Sequence, residues 1–396
     1  MNGPDRRPLL FTVFALPDVA SGTGIVLRRL VENLDPDEAV LLGRGASRRW
    51  RLDREPLSLP SIRVRWVSYG LRGERFSRLT GVLPAVVQGH AAVRRHGCGA
   101  ILAMYPDEGS LLTGYLLHRI TRLPLMLYFC DLYMEEWRGD GWESRMARWL
   151  QPRAFRAAAR LFAVNQGLAE FYRERYGIDA VTLPTCINRP IPPFEPPPPP
   201  GRPLRIAYSG NVYSARIDSL RALVAVVGGD PAFALHYFTP QKPEYLKSLG
   251  VWCDNATAEF VADESALIAR LRECDVMFLP LTFSVEEHAR EQLATCFGVK
   301  AYEYFLAGRP VLVHCPGDYF LARFFRERAC GVVVEDPSPQ ALAAGLARLR
   351  DGGSLRADLV RNGLEAVRQF EGRRVAATLR AEFAAVLRAA GEGERT

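Results

Sequence analysis

Nine prolines stand in the fifteen residues 189–203, five of them in a row from Pro196 to Pro200. Proline gives no amide to a sheet ladder and cannot continue a helix, so this stretch is an extended, semi-rigid spacer. It divides 396 residues into two parts of similar size, each long enough for a core of its own. The expected organisation is a first domain at 1–188, a linker at 189–203, a second domain at 204–372, and a C-terminal helix at 373–396. That helix could cap its own domain or cross back to the first.

Each part alternates short apolar runs with amphipathic stretches, the pattern of β-α units around a parallel sheet. In the first, strands are expected at 9–16, 40–42, 62–67, 100–104, 125–129 and 161–164, with helices at 24–33, 81–95, 110–121 and 143–159. In the second, strands at 204–209, 234–238, 276–279, 311–314 and 332–334 alternate with helices at 218–227, 264–273, 299–307 and 339–350. The stretch 355–390 is helical throughout, with a break near Phe370. The fold class is therefore α/β, two Rossmann-like doubly wound domains, with ligands at the carboxyl ends of the strands.

Composition narrows the class further. Hydrophobic residues make up 48% and charged residues 24%, the balance of a globular protein rather than a disordered one. No apolar run reaches the roughly 18 residues of a membrane span, and the first residues lack the apolar core of a signal peptide. The eight cysteines are scattered, with neither a C-x-x-C pair nor a histidine at zinc-ligand spacing. They read as reduced thiols of a cytoplasmic protein. Only three of the 51 basic residues are lysines, a bias that points to a GC-rich genome.

Residues 1–100 hold 16 arginines against 9 acidic residues and so carry the whole net charge of +7. Ten of those arginines lie between Arg44 and Arg78, a density suited to a phosphate-bearing acceptor or to peripheral contact with an anionic membrane face. A solvated arginine-rich surface is the plainer alternative. Nucleic acid is not expected, because no binding module accompanies the charge.

The most informative motif runs from Thr295 through Phe297, Gly298, Lys300, Glu303, Gly308 and Pro310. A glycine-containing turn starts a helix that sets Lys300 and Glu303 three residues apart on one face, and Gly308 ends it before an apolar strand. The ammonium and the helix amides suit a diphosphate, and a fixed carboxylate one turn on suits the hydroxyls of a ribose. An ordinary surface ion pair would have the same spacing.

Three further turns sit where α/β folds present chemistry. Ser209, Gly210 and Asn211 follow the first strand of the second half, and Arg216 stands soon after in the next helix. Gly22 and Gly24 lie between the first strand and its helix, where small residues let backbone amides approach a ligand. Asp131 ends the apolar strand at 125–129, with Asp107, Glu108, Asn165 and Gln166 as weaker candidates at the same rim. The six histidines are dispersed, with no local nucleophile-base arrangement, and no D-x-D motif sits at a strand end.

With these residues in view, the chain resembles retaining glycosyltransferases of GT-B architecture, family 4 type, which carry E-G-F-G-x-x-x-x-E-x-x-A-x-G-x-P-V in the second domain. Phe297, Gly298, Glu303, Gly308, Pro310 and Val311 fit that pattern, whereas its first Glu falls on Thr295. The histidine that often precedes Asp131 in such enzymes is Cys130 here. The resemblance implies two domains facing a central cleft, the first for the acceptor and the second for a nucleoside-diphosphate sugar such as a UDP-sugar. It also implies a hexosyltransferase that retains anomeric configuration and needs neither cofactor nor metal. Lys300, Arg216 and Asp131 would be catalytic; Gly22, Gly24, Ser209, Gly210, Asn211, Thr295, Phe297, Gly298 and Glu303 would bind the donor. The acceptor would be a glycan, a lipid-linked glycan or a small natural product. The rivals are a sugar-nucleotide epimerase or hydrolase on the same fold, and a non-catalytic nucleotide-sugar-binding partner of a transferase complex.

Overall fold

The computed structural model describes residues 7–17, 22–44, 58–64, 79–137, 139–285 and 290–393. The chain forms two compact units. The first comprises Met1–Asn188 and Phe370–Thr396, and the second Arg189–Gln369.

The first unit is built on a seven-stranded, all-parallel sheet. Its strands in chain order are β1 (Leu9–Ala15), β2 (Ala39–Arg44), β3 (Ser61–Arg63), β4 (Ala100–Tyr105), β5 (Leu125–Phe129), β6 (Ala158–Ala163) and β7 (Val181–Thr182). Their spatial order is β3-β2-β1-β4-β5-β6-β7. A parallel sheet is covered on both faces, so its central strands are apolar without interruption. Along β4, Ile101, Ala103 and Tyr105 enter one core while Ala100, Leu102 and Met104 enter the other. The period of two thus sorts one apolar run into two layers.

The second unit repeats the plan with β8 (Leu204–Ser209), β9 (Phe233–Phe238), β10 (Ala256–Glu259), β11 (Val276–Pro280), β12 (Val311–His314) and β13 (Val332–Val334). The order β10-β9-β8-β11-β12-β13 is the doubly wound one, reversing between β8 and β11. The structure adds elements that periodicity does not reveal, among them β7, β10 and the helices Gln166–Tyr176, Pro243–Ser248, Arg290–Thr295 and Phe320–Glu327.

The proline-rich segment lies along the second unit without regular structure. The Arg361 guanidinium stands 4.6 Å above the Phe194 ring, and the Gly201 amide donates to the Asp275 carboxylate at 3.2 Å. The helix Gly372–Gly393 packs on the first unit, where Val375, Leu379 and Val386 join the core of Leu9 and Phe11. Arg380 donates twice to Glu38, at 2.7 and 2.6 Å. The chain leaves and re-enters this unit at adjacent points: Ile187 N–H donates to Phe370 O at 2.7 Å and Gly372 N–H to Ile187 O at 2.9 Å.

Close helix-on-sheet packing in the first unit depends on Gly114, in the helix Glu108–Thr121. A Cβ there would stand 2.5 Å from Ala103 Cβ and 3.0 Å from Thr12 Oγ1. Neither neighbour has a flexible end to move aside, so Gly114→Ala is expected to cost about 1–3 kcal/mol through overpacking, read as a lower urea midpoint. An unchanged midpoint would show that the helix can lift without penalty.

Candidate functional site

The turn after β8, the loop after β11 and the helix Lys300–Leu306 meet where the strand order of the second unit reverses. A buried tyrosine joins them: Tyr304 OH accepts from Ser209 N–H at 2.8 Å and donates to Phe278 O at 3.2 Å. Gly210 follows with φ +115°, a backbone conformation that L side chains rarely adopt, and a Cβ there would meet Lys300 Cε at 3.3 Å. Lys300 therefore lies directly against the turn. Its Nζ donates to both oxygens of Glu303, at 3.1 and 3.0 Å.

Glu303 is buried, 7% exposed, whereas the Lys300 side chain is 39% exposed. Gly298 lets the chain pass close under β11, because a Cβ there would sit 3.0 Å from Leu279 Cδ1. Half-buried Arg216, in the helix Ser214–Val227, donates to Pro280 O at the end of β11 and lies 5.6 Å from the Tyr213 ring centroid. Ser209, Gly210, Arg216, Gly298, Lys300 and Glu303 are thus brought to one place.

Three other sequence candidates have local duties. Asn211 is exposed, and its carbonyl accepts from Tyr208 OH at 2.7 Å. The Thr295 hydroxyl is turned back onto Glu291 O at 2.9 Å. Phe297 packs its ring against Tyr302, Phe320 and Phe324, with centroids 5.7, 5.9 and 4.8 Å away.

Two residues that sequence reasoning passes over shape the same site. Asp218 Oδ2 accepts from Thr282 Oγ1 and Phe283 N, both at 2.7 Å, fixing the loop after β11. Gln241 pairs with both backbone groups of Val212, accepting from its N–H at 2.6 Å and donating to its carbonyl at 2.8 Å. An acidic residue in a helix and a glutamine in a loop carry no signal of such a role. A serine–histidine contact also occurs, Ser219 Oγ to His314 Nδ1 at 2.5 Å. Since His314 Nε2 faces Asp336 O at 3.0 Å, the ring is protonated there and Nδ1 accepts from the hydroxyl. Both side chains are fully buried and burial lowers the histidine pKa, so the pair is structural.

In the first unit, Gly22 begins the helix Gly22–Val31 and Gly24 is buried in it. Asp18 to Ser21 of that loop lie outside the described residues, as does most of the arginine-rich stretch between Arg44 and Arg78. Asp131 stands at the rim just beyond β5. Protein packed around its carboxyl, and second the Glu136 carboxylate, push its pKa up from 3.8 to about 7; the residue is exposed, so solvent tempers that rise. Burial, with Asp131 adding to it, holds the Cys130 thiol protonated. Tyr105 OH donates to Glu136 and Tyr176 OH to Glu135, fixing the carboxylates nearby. Asp107 and Asn165 cap helices, accepting from Ser110 N at 2.6 Å and Leu168 N at 2.8 Å.

Two Rossmann-like units in tandem, each on a parallel sheet, are the build of the GT-B class, and solved structures agree. The sucrose-phosphate synthase of Thermosynechococcus elongatus matches with a TM-score of 0.71 over 97% of this chain and 100% of its own, at 17% identity. A glycosyltransferase of Rickettsia africae matches at 0.65 over 97% and 99%, at 13% identity. Anabaena HepE in complex with UDP and glucose matches at 0.66 over 96% and 99%, at 14% identity. No curated protein matches the sequence. The chain has the GT-B fold, and the model of the glycosyl transferase 4-like domain family matches residues 21–185. No helix among the described residues is long and apolar enough to cross a membrane.

The raised Asp131 pKa has a consequence for stability. An unfolded aspartate titrates near about 3.9, so between roughly pH 4 and 7 the folded chain binds the extra proton and stability falls as pH rises. Asp131→Asn removes that penalty. It is expected to melt higher than the parent near about pH 8 and together with it near about pH 4. Lower melting at the higher pH would contradict the assignment.

Proposed function

We propose that the chain is a glycosyltransferase whose second unit holds a nucleoside-diphosphate sugar at the reversal between β8 and β11 and whose first unit binds the acceptor. The observation that carries this reading is Lys300, pressed against Gly210 and paired with buried Glu303 at the end of β8. A cation beside a side-chain-free turn suits a diphosphate, and a fixed carboxylate suits the paired hydroxyls of a ribose. HepE, solved with UDP and glucose, makes a UDP-sugar the donor to try first.

In the reaction, the acceptor hydroxyl forms the new bond to the anomeric carbon as the bond to the diphosphate oxygen breaks. The electron pair leaves on the diphosphate. Lys300 and Arg216 stabilise that developing charge; the family resemblance gives backbone amides at Gly22 and Gly24, which begin the helix Gly22–Val31, a part in holding the donor, and gives Asp131 the part of taking or directing the acceptor proton. Ser209, Gly210, Asn211, Thr295, Phe297 and Gly298 complete the donor site. With the charge met by side chains and amides, we propose transfer without a metal, and retention follows from the family resemblance. The acceptor is a glycan, a lipid-linked glycan or a small natural product. We place the protein in the cytoplasm, with the arginines between Arg44 and Arg78 as its contact with the inner membrane face.

Titration calorimetry with UDP tests the donor site. Charged hydrogen bonds contribute about 1.5–3 kcal/mol each, so Glu303→Ala is expected to weaken UDP by about 10- to 100-fold, equally with magnesium and with chelator. Lys300→Ala is expected to lower turnover more than it weakens free uridine. Unchanged UDP affinity in Glu303→Ala would remove the ribose assignment.

A further inference from the structure

The helices Val82–His96, Glu108–Thr121 and Trp142–Ala157 lie side by side on one face of the first sheet. Their inner faces send Val86, Leu117 and Leu150 into a single core, so their outer faces form one surface. Large apolar side chains stand on it: Leu83, Val87, Ile120 and Trp149 are 73, 63, 55 and 42% exposed. Trp149 is also the centre of a cluster. Tyr115 meets its ring edge to face, with centroids 6.4 Å apart, and the Arg153 guanidinium stands 4.9 Å above the ring.

The charge on this surface is mostly of one sign. The three helices hold seven arginines and two acidic residues, of which Glu108 is buried. Arg148 pairs with Asp140, whereas Arg94, Arg95, Arg119 and Arg156 are exposed and make no ion pair among the described residues. Helix dipoles favour cations in the last turn, but the second unit shows how this chain treats arginine on an ordinary solvated surface. There Arg270 pairs with Glu259 and Glu273, Arg326 with Glu335, Arg361 with Asp358 and Arg368 with Glu365. Unanswered arginines beside exposed aliphatic and indole side chains are a different composition.

That composition selects the partner. Two copies of this face would set arginine against arginine, and a nucleic acid would answer the arginines but gain nothing from Leu83, Val87 and Ile120. An anionic lipid surface answers both, with phosphates for the guanidiniums and the headgroup boundary for the aliphatic and aromatic side chains. We propose that the outer face of these three helices docks on an anionic phospholipid surface, with Ile120 and Trp149 entering the headgroup layer and Arg95, Arg119 and Arg156 meeting phosphates. The proposal does not rest on the transferase reading and uses none of the arginines between Arg44 and Arg78.

The test sediments the full chain with phosphatidylcholine vesicles, with and without phosphatidylglycerol. The expected result is binding that needs phosphatidylglycerol and weakens as salt rises. Near an anionic surface each arginine changes affinity about fivefold. Arg95→Gln with Arg119→Gln and Arg156→Gln is therefore expected to weaken binding at least about tenfold, and to melt with the parent because all three side chains are exposed. Ile120→Ser with Trp149→Ser is expected to bind at low salt and to be released at salt that leaves the parent bound. No binding by the parent would overturn the proposal together with any other membrane contact. Undiminished binding in the arginine variant would overturn it alone, placing the contact on other residues such as the arginines between Arg44 and Arg78. Equal release by salt of the parent and the Ile120 and Trp149 variant would contradict entry into the headgroup layer and overturn the proposal. Equal affinity of the parent for a DNA duplex, lost in the arginine variant, would mark a general anion surface and overturn lipid as the occupant.

Discussion

Where a doubly wound sheet reverses its strand order, the connections from the two central strands diverge and leave backbone groups that no ladder satisfies. In the second unit those groups meet at one tyrosine. The Tyr304 hydroxyl, fully buried, takes the Ser209 amide and gives its proton to the Phe278 carbonyl. A buried amide without an acceptor costs about 1–3 kcal/mol, so this hydroxyl decides whether the turn at Gly210 can hold its shape. The rest of the site follows from it. The seven-residue helix that carries Tyr304 also carries Lys300 and Glu303, and the missing side chain of Gly210 leaves the space beside which the lysine lies.

The two carboxyl ends differ electrically. In the second unit the cations Lys300 and Arg216 stand at the turns with the carboxylates Glu303 and Asp218 beside them. In the first, Asp131, Glu135 and Glu136 crowd the rim beyond β5, two tyrosine hydroxyls hold the glutamates in place, and Asp131 is pushed toward a neutral pKa.

Much of this was legible in the sequence. The runs behind β1, β4, β5, β11 and β12 are almost continuously apolar because both faces of each strand are buried; β8 differs only in exposed Arg205 near its start. The strand β10 escaped because it pairs only with β9 and its residues are largely open to solvent. The helix Gln166–Tyr176 escaped because its cap, Asn165, looked like a site residue at a strand end, and here it serves the backbone. At Thr295 and Phe297 the motif position points to the donor, and the structure adds a local duty to each, the hydroxyl bonding its own helix and the ring filling an aromatic cluster. Asp218, Gln241 and Tyr304 were invisible, since side chains that tie loops together over long sequence separations leave no local pattern.

Hydrogen–deuterium exchange with and without UDP tests the central claim most directly, because it reports where the nucleotide sits independently of turnover or acceptor. Binding at the reversal of the second sheet predicts slower exchange at residues 209–216 and 297–304 and in the loop that follows β11, with little change at the amino ends of the strands. Protection confined to the first unit, or none at saturating UDP, would contradict it.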